Sequence, residues 1–266
     1  MRAPLWRALA PALALTVALP AARAQSAASA TAGGWTPLFD GKTFHGWRGL
    51  GYPGVPAGHW AIVDGTIEKV ATKNVPPGPD GKPPRGGDLM TEATYGDFEL
   101  AWEWKATPGA NSGVKYNVSE ELSTGISELT MRPATGTAGA SHSAIGFEYQ
   151  MIDDDRHPDG RLPKHKTGDL YDLISSNEKK HVRPVGEWNE SRIVFRGNHG
   201  EHWLNGEKVV EYDLGTPAMN ALVAASKYKA IAGFADRRRG HIILQDHGDE
   251  MYFRNIRIRA LGSAGR

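Results

Sequence analysis

The first residues that could do chemistry lie in one extended segment, residues 146–153, which reads Gly-Phe-Glu-Tyr-Gln-Met-Ile-Asp. Side chains alternate between the two faces of a strand, so Glu148 and Gln150 point to one side and the large apolar residues point to the other. We expect the apolar side to face a core and Glu148 to face a groove, where a carboxylate can act as a general acid or base. The alternative is that Glu148 lies on a solvated outer face, as most carboxylates do.

A second candidate group follows in the sequence Leu-Gln-Asp-His-Gly, where Gln245 and His247 stand two positions apart. Two such residues point to the same side of a strand. Together with Glu148 and Gln150 they form the predicted polar cluster, in which Glu148 and His247 are the candidate catalytic residues. His202, at the start of His-Trp-Leu-Asn-Gly, is a candidate ligand contact. Either histidine could instead be a hydrogen-bonded structural residue at a strand end, because imidazole suits both uses.

An acidic stretch that begins at Asp153, Asp-Asp-Asp-Arg-His-Pro-Asp-Gly, carries the oxygen ligands that divalent cations prefer. It lacks the spacing of an EF-hand loop, and a solvated acidic loop is the alternative. We assign a candidate divalent cation to Asp153 and predict no other cofactor.

Short strands must position these residues. Residues 98–105 alternate apolar with mostly polar side chains, and the pairs Asp64-Gly65 and Asn205-Gly206 are typical of two-residue hairpin turns. One helix is credible, over residues 218–228, with Thr216 as its N-terminal cap and Pro217 at its first position. About a dozen strands joined by such turns indicate an all-β fold with two stacked antiparallel sheets, a sandwich or jelly roll with one short helix.

Composition narrows the function classes. The chain has 266 residues, is 40% hydrophobic and 23% charged, and carries a formal net charge of +1. These values exclude a disordered tail and a multi-span membrane protein and argue against a nucleic-acid binder. No cysteine is present, which excludes a disulfide framework, a thiolate metal site, a cysteine nucleophile and a lipoprotein anchor.

The first 24 residues have the pattern of a secretory signal peptide. Arg2 and Arg7 precede an apolar run of about 12 residues, and Ala-Arg-Ala ends at residue 24 as a cleavage site. The run is too short for a transmembrane anchor. We therefore expect a periplasmic or secreted protein, a flexible linker over residues 25–34 and one domain over residues 35–262.

The domain carries a series of sequence motifs in a fixed order. They are Trp-Thr-Pro-Leu-Phe-Asp-Gly-Lys-Thr-Phe-His-Gly-Trp-Arg from Trp35, Tyr-Gly-Asp-Phe-Glu-Leu from Tyr95, Asn-Ser-Gly-Val from Asn111, Gly-Phe-Glu-Tyr-Gln-Met-Ile-Asp from Gly146, Gly-Glu-Trp-Asn from Gly186, His-Trp-Leu-Asn-Gly from His202, Gly-His-Ile-Ile-Leu-Gln-Asp-His-Gly from Gly240 and Phe-Arg-Asn-Ile-Arg-Ile from Phe253. In this order they closely resemble the 3-keto-disaccharide hydrolase family. The resemblance implies a concanavalin-like jelly roll that acts on sugars oxidised at C3.

A ketone at C3 acidifies the C2 proton, so one base at C2 can drive elimination of the group at C1, and water can then add back. We expect Asn111, Lys115, Tyr171 and Trp188 to contact the sugar, together with Gln150, Gln245 and His202. An upstream 3-dehydrogenase is the expected pathway partner, and neither nucleic acid nor a membrane is an expected one.

Two other functions stay open. The same fold class also makes carbohydrate-binding modules without turnover, and conventional endo-glucanases. The glucanase alternative is weakened because Gln150 and Ile152 stand where the Glu148 strand would carry a second facing carboxylate. A glutamate and a histidine in one groove favour an enzyme over a binding module.

Overall fold

The computed structural model describes residues 34–82, 84–124, 126–127, 132–133 and 144–262. The predicted signal peptide and all but the last residue of the predicted linker lie outside the described residues. No described helix has the length and apolar character needed to span a lipid bilayer.

Strands dominate the described chain. In order they are β1 (Thr36–Pro37), β2 (Trp47–Gly49), β3 (Trp60–Val63), β4 (Thr66–Lys69), β5 (Leu89–Thr91), β6 (Phe98–Ala106), β7 (Asn111–Ser119), β8 (Ile126–Ser127), β9 (Arg132–Pro133), β10 (Ile145–Ile152), β11 (Asn189–Arg196), β12 (His199–Leu204), β13 (Glu207–Asp213), β14 (His241–Leu244) and β15 (Met251–Ala260).

The helices are short. They are α1 (Glu120–Ser123) and α2 (Pro217–Ala225), with 3-10 turns at Thr72–Asn74, Pro158–Arg161 and Lys227–Ala230. The Thr216 side chain accepts a hydrogen bond from Met219 N, so the predicted cap of α2 is confirmed. The helix ends before the predicted residue 228 because the Ser226 hydroxyl accepts a bond from Tyr228 N and starts a separate turn.

Two antiparallel sheets form the body of the fold. The larger has the strand order β13-β12-β11-β6-β15-β4-β3, with β1 also paired to β15, and the smaller has the order β10-β7-β14-β5-β2. The predicted all-β jelly-roll sandwich is therefore confirmed. Its predicted hairpin turns are confirmed as well, since Asp64-Gly65 and Asn205-Gly206 adopt positive φ at both positions, as type I′ turns require.

The core fills the space between the sheets. On β6, Trp102 and Trp104 are buried, and Tyr149 of β10 meets the Trp102 ring edge to face at 5.1 Å between centroids. The apolar face of β10 therefore points inward, as predicted. Its polar face must point to the outer side of the smaller sheet.

Strand β10 is an edge strand, and a following segment covers its free side. Gly168 N donates to Gln150 O, and Tyr171 N donates to Glu148 O at 3.0 Å. An edge covered in this way is protected from pairing with other chains. The same hydrogen bonds bring Tyr171 beside the polar face of β10.

Candidate active site

A polar row lies on the outer face of the smaller sheet. Glu148 of β10 pairs in register with Lys115 of β7, and Ile152 pairs with Asn111. Glu148 is 2% exposed and Lys115 is 5% exposed. Glu148 thus faces away from the core as predicted, but it does not lie on a solvated surface.

Glu148 and Lys115 form a buried ion pair. Glu148 Oε2 lies 3.4 Å from Lys115 Nζ, and no described group donates a hydrogen bond to this oxygen. The carboxylate lies over Gly113, where a Cβ atom would approach Glu148 Oε1 to 2.5 Å. Any larger residue at position 113 would therefore displace the carboxylate.

Gly113 is the centre of a small group of buried oxygens. Gln150 pairs with Gly113 from β10, and Gln245 N donates to Gly113 O from the other side. Gln150 Oε1 and Gln245 Oε1, like Glu148 Oε2, have no hydrogen-bond partner among the described residues. We call Glu148, Gln150 and Gln245 around Gly113 the Gly113 cluster. Leaving such atoms unsatisfied costs about 1–3 kcal/mol each, so a site of this kind is suited to a polar ligand.

A chain of hydrogen bonds joins this cluster to His247. Gln150 Nε2 donates to Asn111 Oδ1 at 3.3 Å, and Asn111 Nδ2 lies 3.4 Å from His247 Nε2. Because an amide nitrogen can only donate, His247 Nε2 accepts this bond through its lone pair when the ring is neutral. Residues 113 and 111 are two apart on β7, about 7 Å along a strand. The Glu148 carboxylate and His247 therefore share one face of the sheet at neighbouring positions.

Two further groups surround His247. Asp249 Oδ2 lies 3.9 Å from His247 Nδ1, and the rings of His157 and His247 meet edge to face at 5.6 Å. Burial, and then the neighbouring His247, lowers the pKa of His157. His157 is therefore neutral near pH 7.

His157, His247 and Asp249 are also a candidate cation site, since one ligand atom from each lies within 4.8 Å of the others. Two imidazoles and a carboxylate suit borderline cations such as Zn²⁺ or Mn²⁺. His157 Nδ1 accepts a hydrogen bond from Asp159 N, which leaves the proton on Nε2. A cation bound through Nε2 would need the other tautomer and the loss of that bond.

The segment that covers β10 supplies one wall. The Tyr171 hydroxyl donates to Asp159 Oδ2 at 2.9 Å, and the His165 ring packs against the Tyr171 ring at 4.2 Å between centroids with a tilt of 37°. Burial, and then the nearby Glu148 carboxylate, raises the pKa of Tyr171. Tyr171 is therefore a neutral phenol beside Glu148 and, as predicted, lies at the edge of this site.

The turn that carries Gln245 and His247 is held from beneath by Asp246. Its carboxylate accepts bonds from Lys69 Nζ at 2.9 Å and from Gly87 N and Gly248 N at 3.0 Å. Asp246 points away from the site because alternate residues of an extended segment face opposite ways, and there it meets Lys69 of β4. This buried pair fixes the backbone from which Gln245 and His247 project.

His202 is not at the site, contrary to the prediction. It is 0% exposed, its Nε2 lies 2.9 Å from the Tyr116 hydroxyl, and its Nδ1 lies 3.1 Å from Gly168 O. Burial lowers the pKa of His202 to about 4, so the ring is neutral. His202 belongs to the core because it lies on the inner face of β12. It is a hydrogen-bonded structural residue, as the alternative interpretation held, but it lies within the strand instead of at its end.

Trp188 and Asp153 also differ from the prediction. Trp188 lies on the outer face of the larger sheet, where the Arg254 guanidinium stacks on it at 3.9 Å. Asp153 accepts hydrogen bonds from Gly109 N, Asp155 N and Arg156 N, so it stabilises a turn and its lone pairs are occupied. Trp188 therefore lies away from the Gly113 cluster, and Asp153 meets the candidate cation site through its backbone, since His157 N donates to Asp153 O at 3.1 Å.

Two site residues were missed by sequence reasoning, His157 and Asp249. His157 lies within the acidic stretch that was considered for a cation, but the cation was assigned there to the carboxylate of Asp153. Asp249 stands two residues after His247, the spacing that identified Gln245. The fold brings the two loops together, and neither loop alone predicts the contact.

Three comparisons with known proteins bear on this site. Residues 34–259 match the model of the 3-keto-alpha-glucoside-1,2-lyase-like domain family. The chain is 36% identical over 244 residues to a 3-keto-disaccharide hydrolase from Bacteroides thetaiotaomicron, covering 86% of this chain and 79% of the relative.

Two solved structures have the same fold. A candidate glycosyl hydrolase from Parabacteroides distasonis matches with a TM-score of 0.69 and 30% identity, covering 86% of this chain and 94% of the other. A second from the same organism matches with a TM-score of 0.56 and 27% identity, covering 85% of this chain and 99% of the other.

Proposed function

This chain belongs to the family of 3-keto-alpha-glucoside-1,2-lyase-like domains, and from this we propose that it cleaves 3-keto-glycosides. The proposed route is elimination followed by hydration. Its relative from Bacteroides thetaiotaomicron is named a 3-keto-disaccharide hydrolase. The sum of the two steps is a hydrolysis that requires a ketone at C3.

One observation carries this proposal: the order of charged and polar groups along β7. Lys115 comes first, the Glu148 carboxylate lies over Gly113, and Asn111 leads to His247. In a 3-keto-sugar the ketone oxygen, the acidic C–H and the leaving group follow in the same order, at C3, C2 and C1. The row of residues therefore matches the row of reacting atoms.

Glu148 is the proposed base. Its Oε2 has no hydrogen-bond donor among the described residues, so this oxygen is available to take the C2 proton. As the C2–H bond breaks, negative charge develops on the C3 oxygen. The Lys115 ammonium, 3.4 Å from Glu148 Oε2, is placed to stabilise that charge.

His247 is the proposed partner at C1. A protonated His247, with Asp249 beside Nδ1, cannot accept the bond from Asn111 Nδ2, so in this form its Nε2–H turns from Asn111 to the substrate. It donates its proton to the departing oxygen as the C1–O bond breaks and a C1=C2 double bond forms. The neutral imidazole then removes a proton from water, whose oxygen adds to C1. Glu148, whose proton can exchange with water before the addition, returns a proton to C2, which restores both residues.

The remaining residues are proposed to recognise hydroxyl groups. Gln150 Oε1 and Gln245 Oε1 are buried acceptors without partners among the described residues, and the Tyr171 phenol forms the adjacent wall. A buried acceptor that the correct ligand satisfies discriminates strongly against a ligand lacking the matching donor.

A divalent cation is the proposed alternative to acid catalysis by His247, now at His157, His247 and Asp249 instead of Asp153, because a metal-bound imidazole would not also be the proton donor at C1. When bound, such an ion could act as a Lewis acid toward a substrate oxygen. If it binds there, a chelator removes activity, and Mn²⁺ or Zn²⁺ restores activity in the native chain but not in Asp249→Ala.

A carbohydrate-binding module without turnover is the alternative, because buried amides alone would suffice to hold a sugar. The direct test is incubation of the mature protein with 3-keto-glucosides and with their unoxidised parents. The proposal predicts release of the alcohol from the 3-keto compounds alone. Binding of either sugar without release would support the module, and equal cleavage of both would support a conventional glycosidase.

We also propose that the chain is exported to the periplasm or beyond, and that a 3-dehydrogenase acting earlier supplies its oxidised substrate. The leader at residues 1–24 supports export, and the need for a C3 ketone supports the dehydrogenase. Sequencing of the exported protein should find Gln25 at or near the N-terminus. An intact Met1 on a membrane-bound product would contradict this.

A further inference from the structure

A second groove crosses the outer face of the larger sheet, on the opposite side of the sandwich from the Gly113 cluster. Its volume is about 340 Å³, and Trp35, Glu99, Ala101, Arg192, Trp203 and Arg257 are among its lining residues. Pockets that hold small ligands begin at about 300 Å³, so the groove has room for one or two sugar rings.

The groove follows from one small residue in a row of large ones. Across four neighbouring strands, Trp203 pairs with Arg192, Arg192 pairs with Ala101, and Ala101 pairs with Arg257. Side chains in register stand side by side on one face of a sheet. The methyl group of Ala101 therefore leaves a depression between two long arginines.

Two indole rings stand at the ends of this depression. The Arg192 guanidinium stacks on Trp203 at 4.0 Å from the ring centroid, and the Arg259 guanidinium lies 4.8 Å from that of Trp35. These cation–π contacts hold the indoles and the guanidinium planes in fixed orientations. The walls of the groove are therefore arranged before any ligand arrives.

The floor holds a buried carboxylate. Glu99 is 4% exposed, and Arg192 Nη1 donates to its Oε1 at 2.7 Å while Arg259 binds its Oε2. Arg257 Nη2 lies 3.3 Å from Glu190 Oε1 across the groove. Each guanidinium has five N–H donors, and these bonds use only some of them. Three arginines against two glutamates leave little net charge to attract a strong anion.

We propose that this groove is a second, non-catalytic carbohydrate-binding site that takes neutral, unoxidised oligosaccharides. A sugar ring has an apolar C–H face and a rim of hydroxyl groups that both donate and accept. Indoles match the first, and fixed guanidinium and carboxylate groups match the second. Such a site would hold the chain on a glycan while the opposite face handles 3-keto units.

The test titrates cellobiose and maltose, each up to about 10 mM, into the mature chain carrying Glu148→Gln, followed by NMR of the tryptophan indole N–H signals. We expect at least one of the two sugars to shift the signals of Trp35 and Trp203 in a saturable way. The Trp188 signal should not move, because this indole stacks on Arg254 elsewhere on the same face. The absence of a saturable shift of the Trp35 and Trp203 signals with both sugars would overturn the proposal.

Three variants sharpen the result. Trp35→Ala and Trp203→Ala should each weaken saccharide binding about 10-fold or more, which is the loss of one well-placed aromatic contact. Trp188→Ala is the matched control and should bind as the native groove does. If Trp203→Ala does not fold, the affinity of Trp35→Ala for the saccharide tests the proposal by itself. An affinity of Trp35→Ala equal to that of the native groove would contradict the proposal.

This binding is separable from the proposed catalysis. Trp35→Ala should turn over a soluble 3-keto-glucoside at the native rate, since the two sites lie on opposite faces of the sandwich. Failure of all turnover with intact groove binding would reject the proposed function and leave this inference standing. Intact turnover without groove binding would reject this inference and leave the proposed function standing.

Discussion

The two faces of the five-stranded sheet bury polar groups in opposite ways. On the inner face, the Tyr116 hydroxyl lies 2.7 Å from the Tyr212 hydroxyl and 2.9 Å from His202 Nε2, so each group has a partner. On the outer face, Glu148 Oε2 and Gln150 Oε1 are buried without a hydrogen bond from any described residue.

This difference separates structure from function within the same strands. Satisfied polar groups contribute about 1 kcal/mol each and specify one packing of the core, whereas unsatisfied ones cost stability. A bound ligand or an ordered water molecule that satisfies these groups would offset that cost. Substitution on the outer face of β10 should therefore lower activity and leave stability nearly unchanged, whereas substitution of an adjacent residue on the inner face should lower stability and leave activity unchanged. The following substitutions test this.

The largest effect is expected for Glu148→Gln. It removes the proposed base while keeping the side-chain volume over Gly113, so kcat on a 3-keto-glucoside should fall on the order of 10²-fold or more. The near-ultraviolet circular dichroism spectrum should stay native. Native turnover in a folded Glu148→Gln variant would remove Glu148 from the mechanism.

His247→Ala should have the next largest effect. The side chain is 41% exposed, so its loss should leave stability nearly unchanged while kcat falls about 10²-fold. His199, 36% exposed on the larger sheet, provides the matched control, and His199→Ala should keep native kcat. Equal effects of the two substitutions would show that His247 has no special role.

His202→Gln should change the pH dependence of stability. His202 has a folded pKa of about 4 and an unfolded value near 6.5, so its contribution is full above pH 6.5 and is lost as pH falls toward 4. Between pH 7 and pH 5 the native chain should lose about 2 kcal/mol more than the variant. Urea unfolding at both pH values measures this, and parallel losses would contradict a neutral, buried His202.

Tyr149→Phe should show the smallest effect and the opposite pattern to Glu148→Gln. The lost hydroxyl donates to Trp203 O and accepts from Ser191 Oγ, so the free energy of unfolding should fall by about 1–2 kcal/mol. Because the ring faces the core, kcat should stay native. A large loss of kcat would show that the inner face takes part in catalysis.

Local patterns predicted much of this molecule. The alternation of β10 placed Glu148 and Gln150 correctly away from the core, and Asn-Gly and Asp-Gly identified two hairpins, because both signals depend on near neighbours alone. The orientation of Glu148 could be predicted, but its burial could not, because the segment that covers β10 comes about 20 residues later.

The errors share one physical cause. His202 and Trp188 were assigned by residue type, yet which face each occupies depends on strand pairing across the whole sandwich. His202 ended in the core because a neutral imidazole can bridge Tyr116 and Gly168 there. The contact of His157 with His247 joins loops 90 residues apart, a distance over which no periodicity extends.

The central claim, proton loss at C2 before the bond at C1 breaks, has one direct measurement. A 3-keto-glucoside labelled with deuterium at C2 is converted in ordinary water by the native chain, and the label in the product is measured by NMR, with Glu148→Gln giving the spontaneous exchange. Elimination predicts loss of the label well above that background, or a slower reaction of the labelled substrate. Full retention of deuterium at C2, with unoxidised glucosides cleaved equally well, would contradict elimination and favour a conventional glycosidase.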